Sequence, residues 1–82
     1  VIRIDVTLFA HARDLAGTGR ETVELPAGAT ASDLLRLLEE RHPRLSALGG
    51  RARLAVNRAY AAPTLTLSDG DEAAVIPPVS GG

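Results

Sequence analysis

The sequence predicts an α+β domain: a mixed sheet with one main helix packed on one of its faces. Three observations lead there. Short stretches at both ends and in the middle alternate apolar and polar residues with a period of two. One longer stretch, Thr30 to His42, carries its leucines at helical spacing instead. The order is strand, strand, helix, strand, short strand, strand. One amphipathic helix can cover only one face of such a sheet, so the other face is left to water or to a partner.

Val1 to Phe9 reads as the first strand, with Ile4, Val6 and Leu8 on the core side and Phe9 on the opposite side by parity. Ala10 to Ala16 reads as a short helical turn that Gly17-Thr18-Gly19 breaks. Glu21 to Leu25 is a second strand, antiparallel to the first, with Val23 and Leu25 inward; Pro26-Ala27-Gly28 ends it. Thr30 is placed to cap the main helix, and Asp33 at its third position supplies a capping-box-like partner. Ala31, Leu34, Leu35 and Leu38 form its apolar stripe, widened by Leu37, and Pro43 stops it. Leu45 and Leu48 are expected to tuck the following loop under the sheet. Arg53 to Asn57 reads as a third strand, with Leu54 and Val56 inward; Asn57-Arg58 is a turn and Ala59 to Ala61 a short return strand. Ser68 to Glu72 is a turn before the last strand, Ala73 to Ile76, in which Val75 faces inward.

An 82-residue chain with 45% hydrophobic and 23% charged residues fits one small globular domain, 1–82, with a flexible tail at 77–82. A domain of this size buries only about 60% of the surface its unfolded chain exposes. It has little room for both a core and a deep catalytic pocket, which favours a carrier or binding module. With no Cys there is no disulfide, zinc-thiolate site or thiol catalysis. All nine basic residues are Arg, so Schiff-base chemistry and side-chain modification of a Lys are excluded. A net charge of −1 gives no electrostatic footprint for nucleic acid or an anionic membrane. No signal peptide or long apolar run is visible, and the expected location is the cytoplasm.

No constellation of side chains stands out as catalytic. His11 and His42 are far apart in sequence and read as surface histidines rather than a metal pair; no metal site is expected. Ser80 has no plausible His-Asp pair near it. Asp69-Gly70-Asp71-Glu72 lacks the spacing of a calcium loop and reads as a solvated turn. Two other features hold more information. Phe9 and Tyr60 are the only aromatic residues, and parity puts Phe9 and Ile76 opposite the core set. Together on the uncovered face, Phe9, Tyr60 and Ile76 would form an apolar patch for a protein partner; the alternative is that they curl into a small core of their own.

The second feature is Pro77-Pro78-Val79-Ser80-Gly81-Gly82. The prolines cannot extend the ladder, so the chain should leave the sheet stiffly. Six residues from Pro77 can reach roughly 20 Å at ~3.3 Å each. Gly81 and Gly82 lack a Cβ and can thread a narrow channel. What they would present is the main-chain carboxylate of Gly82, a poor electrophile that needs activation, most simply by adenylation with ATP. The alternative is a frayed end or a cloning remnant.

Several stretches carry a family resemblance over nearly the whole chain. Leu8-Phe9-Ala10 followed by Arg13-Asp14-Leu15-Ala16-Gly17, then Ala55-Val56-Asn57, then Leu67-Ser68-Asp69-Gly70-Asp71-Glu72, and above all Pro77-Pro78-Val79-Ser80-Gly81-Gly82 resemble the MoaD/ThiS ubiquitin-like sulfur carriers, and most closely the molybdopterin synthase branch. The resemblance implies a β-grasp fold and a cycle of sulfur transfer. An E1-like activating enzyme, using ATP and magnesium, would adenylate Gly82, and a sulfur donor protein would convert the adenylate to a thiocarboxylate. The large synthase subunit would then receive the tail (Pro77, Pro78, Val79, Ser80, Gly81) in a heterotetramer. It would supply the catalytic side chains while Gly82 donates sulfur to cyclic pyranopterin monophosphate. Phe9, Tyr60 and Ile76 would form part of the partner surface; Tyr60 stands where the family often has an aliphatic residue. No cofactor would stay bound. A carrier for thiamin, thiolated tRNA or cysteine, a ubiquitin-like protein modifier, and a plain interaction domain remain as alternatives.

Overall fold

The structure is a computed structural model that describes residues 1–78. Its five strands form one mixed sheet in the order β2-β1-β5-β3-β4. In the centre, β1 (Ile2–Leu8) runs parallel to β5 (Glu72–Ile76), and the remaining neighbours are antiparallel: β2 (Arg20–Leu25) on β1, β3 (Arg53–Val56) on β5, and β4 (Ala59–Tyr60) on β3. Strand alternation decides the core. Ile2, Ile4, Val6 and Leu8 are buried on one face of β1, joined there by Val23 and Leu25, Leu54 and Val56, and Ala73 and Val75.

One main helix, α2 (Ala31–Arg41), belongs to the layer that closes this core, with Ala31, Leu34 and Leu38 buried and Leu35 and Leu37 packed at its margin. Its start is fixed by a complete capping box. The Asp33 N–H donates to Thr30 Oγ1 (3.3 Å), and the Thr30 N–H donates to the Asp33 carboxylate (2.9 Å). The shorter Asp closes the box as Glu would. That backbone N–H of Thr30, its side chain and nearby Arg36 hold the Asp33 carboxyl below the usual carboxylate range.

At its other end α2 is tied to the sheet edge. Glu21 shares the inner face of β2 with Val23, and its carboxylate meets Arg41 Nη1 (3.1 Å) and His42 Nε2 (2.5 Å). His42 is thus a half-buried structural partner, while His11 is exposed on α1 (Ala10–Ala16). Gly17 closes α1 in the left-handed region, with φ 78°.

The segment expected as a loop, Pro43–Leu48, is a 3-10 helix that buries Leu45 and Leu48. Pro43 explains both events. It cannot continue α2, yet at the start of a new turn its missing N–H is not needed. The acidic turn before β5 is a cross-tie. Asp71 accepts from the Ser68 N–H (2.8 Å) and from Asn57 Nδ2 (3.0 Å), and Asp69 accepts from the Arg3 N–H (2.8 Å). These carboxylates join the start of β1 to the β3–β4 hairpin. Among the described residues, no helix is long and apolar enough to cross a membrane.

Candidate functional site

The face of the sheet away from α2 is divided chemically by strand register. Over β1 and β2 it is polar: Arg3 pairs with Glu24 (3.4 Å), and the Thr22 hydroxyl donates to Asp5 (3.0 Å). Toward the end of β5, on β3 and on β4 it is mainly apolar, with Arg53 as the exception. Thr7 lies beside Ala74, Ala74 beside Ala55, and Ala55 beside Tyr60, so these four form one row across the sheet. The next row toward the end of β5 pairs Ile76 with Arg53. Phe9 follows Leu8, the partner of Val75, and donates its N–H to the Val75 carbonyl (3.3 Å), which brings it level with Ile76.

Each of these side chains is held out by local backbone geometry. Phe9 keeps an extended conformation (φ −106°, ψ 153°) as the N-cap of α1, and Ala10 then turns the chain with φ 47°. Phe9 therefore stays on the outer side while Ala12, three residues later, is fully buried. It is 50% exposed, too much for a member of a closed secondary core. Tyr60 is 66% exposed on the edge strand, presented by a two-residue hairpin at Asn57-Arg58. Both hairpin residues have positive φ (51° and 73°), as a type I′ turn requires. Ile76 is half-buried between Phe9 and Arg53.

The structure thus gathers Phe9, Ile76 and Tyr60 on one face, but not as a purely apolar group. Arg53 stands between Ile76 and Tyr60, with its guanidinium carbon 5.3 Å from the Tyr60 ring centroid. Arg53 was legible as an outward residue, because Leu54 and Val56 take the inward positions; what parity alone could not show was that it stacks on Tyr60.

Pro77 and Pro78 follow β5 directly and are half-buried, so the chain leaves the sheet beside Ile76 and Arg53. Val79, Ser80, Gly81 and Gly82, named from sequence as the threading and reacting residues, lie outside the described residues.

The family model that matches is that of the ThiS family, over residues 6–82. The chain belongs to the ThiS family. A molybdopterin synthase sulfur carrier subunit from Chlamydomonas reinhardtii is 41% identical, with 99% of this chain and 100% of the relative covered. Among solved structures, small archaeal modifier protein 1 of Haloferax volcanii matches with a TM-score of 0.88 and 28% identity, over 96% of this chain and 100% of the other. A Helicobacter pylori chain from a complex of subunits 1 and 2 of molybdopterin-converting factor matches at TM-score 0.71 and 22% identity, over 99% of this chain and 100% of that one, and shares the fold. The fold of this ThiS-family chain is the ubiquitin-like β-grasp. The divided sheet face is the side of the β-grasp sheet turned away from α2.

Proposed function

We propose that this chain is the sulfur carrier subunit of a molybdopterin synthase, working in the cytoplasm, and that its reacting group is the carboxylate of Gly82. The observation that carries the reading is the full-length similarity to a carrier of that name. The sheet face described above supports it, because an exposed apolar group beside the exit of the tail can seat the domain while the tail reaches away.

The chemistry runs in three balanced steps. A Gly82 carboxylate oxygen attacks the α-phosphorus of ATP on an E1-like enzyme; pyrophosphate leaves and an acyl-adenylate forms. A persulfide on a donor protein attacks the acyl carbon and AMP leaves, giving an acyl disulfide. A second thiol then attacks the donor's sulfur, so the S–S bond breaks, the donor is left in a disulfide and the Gly82 thiocarboxylate is freed. On the large subunit, the thiocarboxylate sulfur attacks a side-chain carbon of cyclic pyranopterin monophosphate and an oxygen leaves that carbon. Water then hydrolyses the resulting thioester, returning the Gly82 carboxylate and leaving the sulfur on the pterin, and a second charged carrier supplies the second sulfur. The chain itself contributes the carboxyl, the glycines that let a channel close around it, and the docking face. With no Cys in the sequence, sulfur has no side-chain thiol on which to rest, and it passes directly to the acyl carbon.

The test is reconstitution with the activating enzyme, a sulfur donor, the large subunit and cyclic pyranopterin monophosphate. Molybdopterin should form with the unaltered chain and fail to form when one residue is added after Gly82. Undiminished product from the extended chain would refute a terminal-carboxyl mechanism. A second reading, conjugation to other proteins, is favoured by the likeness to the archaeal modifier. It predicts amide-linked adducts between Gly82 and lysines of other proteins in place of the pterin product.

A further inference from the structure

Arg53 places a positive charge inside a surface otherwise suited to apolar contact. Its outward neighbours across and along the sheet are Ile76, Ala55 and Tyr60. Among the described residues its guanidinium has no hydrogen bond or ion pair; the arginines that pair with carboxylates are Arg3, Arg36 and Arg41. The acid nearest on the same face of β5 is Glu72, four residues along the strand from Ile76 and so roughly 13 Å away at ~3.3 Å per residue. Neighbouring Arg51 is spoken for, since its Nε donates to the Leu48 carbonyl (3.1 Å). The Arg53 guanidinium lies over the Tyr60 ring, 5.3 Å from its centroid, a contact that does not neutralise its charge.

Covering this face with an apolar partner would strip water from a charge that has no partner among the described residues, which is unfavourable unless the covering surface answers it. Resting on the docking role given above, we propose that the partner surface covering Phe9, Ile76 and Tyr60 carries a carboxylate opposite Arg53. Arg53 then sets which partner is accepted. The apolar residues supply contact area that any hydrophobic surface could match, whereas the guanidinium, already oriented by Tyr60, rejects a surface without an acid at that point. Arginine suits this position because its planar group can stack on the ring and still offer edge N–H donors to a carboxylate.

The experiment measures binding of the purified large synthase subunit to the unaltered chain, Arg53→Leu and Arg53→Glu by calorimetry, with circular dichroism on each variant. Arg53 is exposed on the sheet surface, so all three should fold alike. Removing one member of a desolvated ion pair should weaken binding about 30-fold or more for Arg53→Leu, and further for Arg53→Glu, where two carboxylates meet. Binding by Arg53→Leu equal to or tighter than that of the unaltered chain would overturn the inference, because the face would then want an apolar residue there. No binding by the unaltered chain would overturn the docking role itself and the inference with it. The two failures are therefore distinct.

Discussion

Phe9 shows how much one backbone dihedral decides. Leu8 and Ala12 are buried, yet Phe9 between them is half exposed: it continues the alternation of β1 onto the outer face, and Ala10, with positive φ, then turns the chain so that Ala12 is buried. A half-exposed ring contributes little to the core, so Phe9→Asp should leave the thermal midpoint within a few degrees while weakening binding to the large subunit at least tenfold. Failure of the variant to fold would put Phe9 in the core instead. Asp33 is a second residue with a readable consequence. Its folded carboxyl titrates below its ordinary value, so its contribution to stability is present above the unfolded pKa and is lost as pH falls through the folded one. Unfolding of the unaltered chain and of Asp33→Asn, compared from pH 7 downward, should show the difference between them shrinking as the carboxyl protonates. A difference that stays constant with pH would argue that the charged capping box does not act as described. At Thr30, the other half of the box, replacement by Ala should cost about 1 kcal/mol.

Elements with strong periodicity were legible from sequence, and those built by local turns were less so. The leucine spacing of α2 and the alternation of β1 fixed both their type and their buried sides, because burial on one face is a global demand written at every second, third or fourth residue. Leu38 is fully buried on that stripe, and Leu38→Ala should destabilise the chain by roughly 2–5 kcal/mol in denaturant unfolding. By contrast, Pro43–Leu48 is a 3-10 helix where the sequence predicts a loop, since six residues are too few to display a helical period; only Pro43 and the two buried leucines hint at order. Strand ends also moved by a residue, with β2 starting at Arg20, β3 ending at Val56 and β4 ending at Tyr60. The β3–β4 hairpin gives an element-level test. Arg58 sits at φ 73°, where a side chain is strained and glycine is not. Arg58→Gly should raise stability by about 0.5–1 kcal/mol net of the glycine's extra unfolded-state entropy. A loss of stability would mean that the side chain is compensating for the strain.

Across the whole molecule, the two faces of the sheet divide the work. One face is sealed by α2, α1 and the 3-10 turn over an apolar core; the other is open, polar over β1–β2 and apolar over β5–β3–β4 around Arg53. Parity placed Phe9 and Ile76 on the open side from sequence alone, but their juxtaposition with Tyr60 needed the strand order, which no local pattern encodes. The chemistry of the tail was legible only as a composition, two prolines and two glycines, and its meaning came through family likeness. That asymmetry is what the proposed carrier chemistry predicts, because a main-chain reacting group leaves no constellation of side chains to find. The most direct measurement is therefore the intact mass of the chain after incubation with its activating enzyme, ATP, magnesium and a sulfur source. A gain equal to the exchange of one oxygen for sulfur, mapped by fragmentation to Gly82 and abolished by deleting that residue, is the predicted result. An unchanged mass, or sulfur mapped to any other residue, would contradict the account.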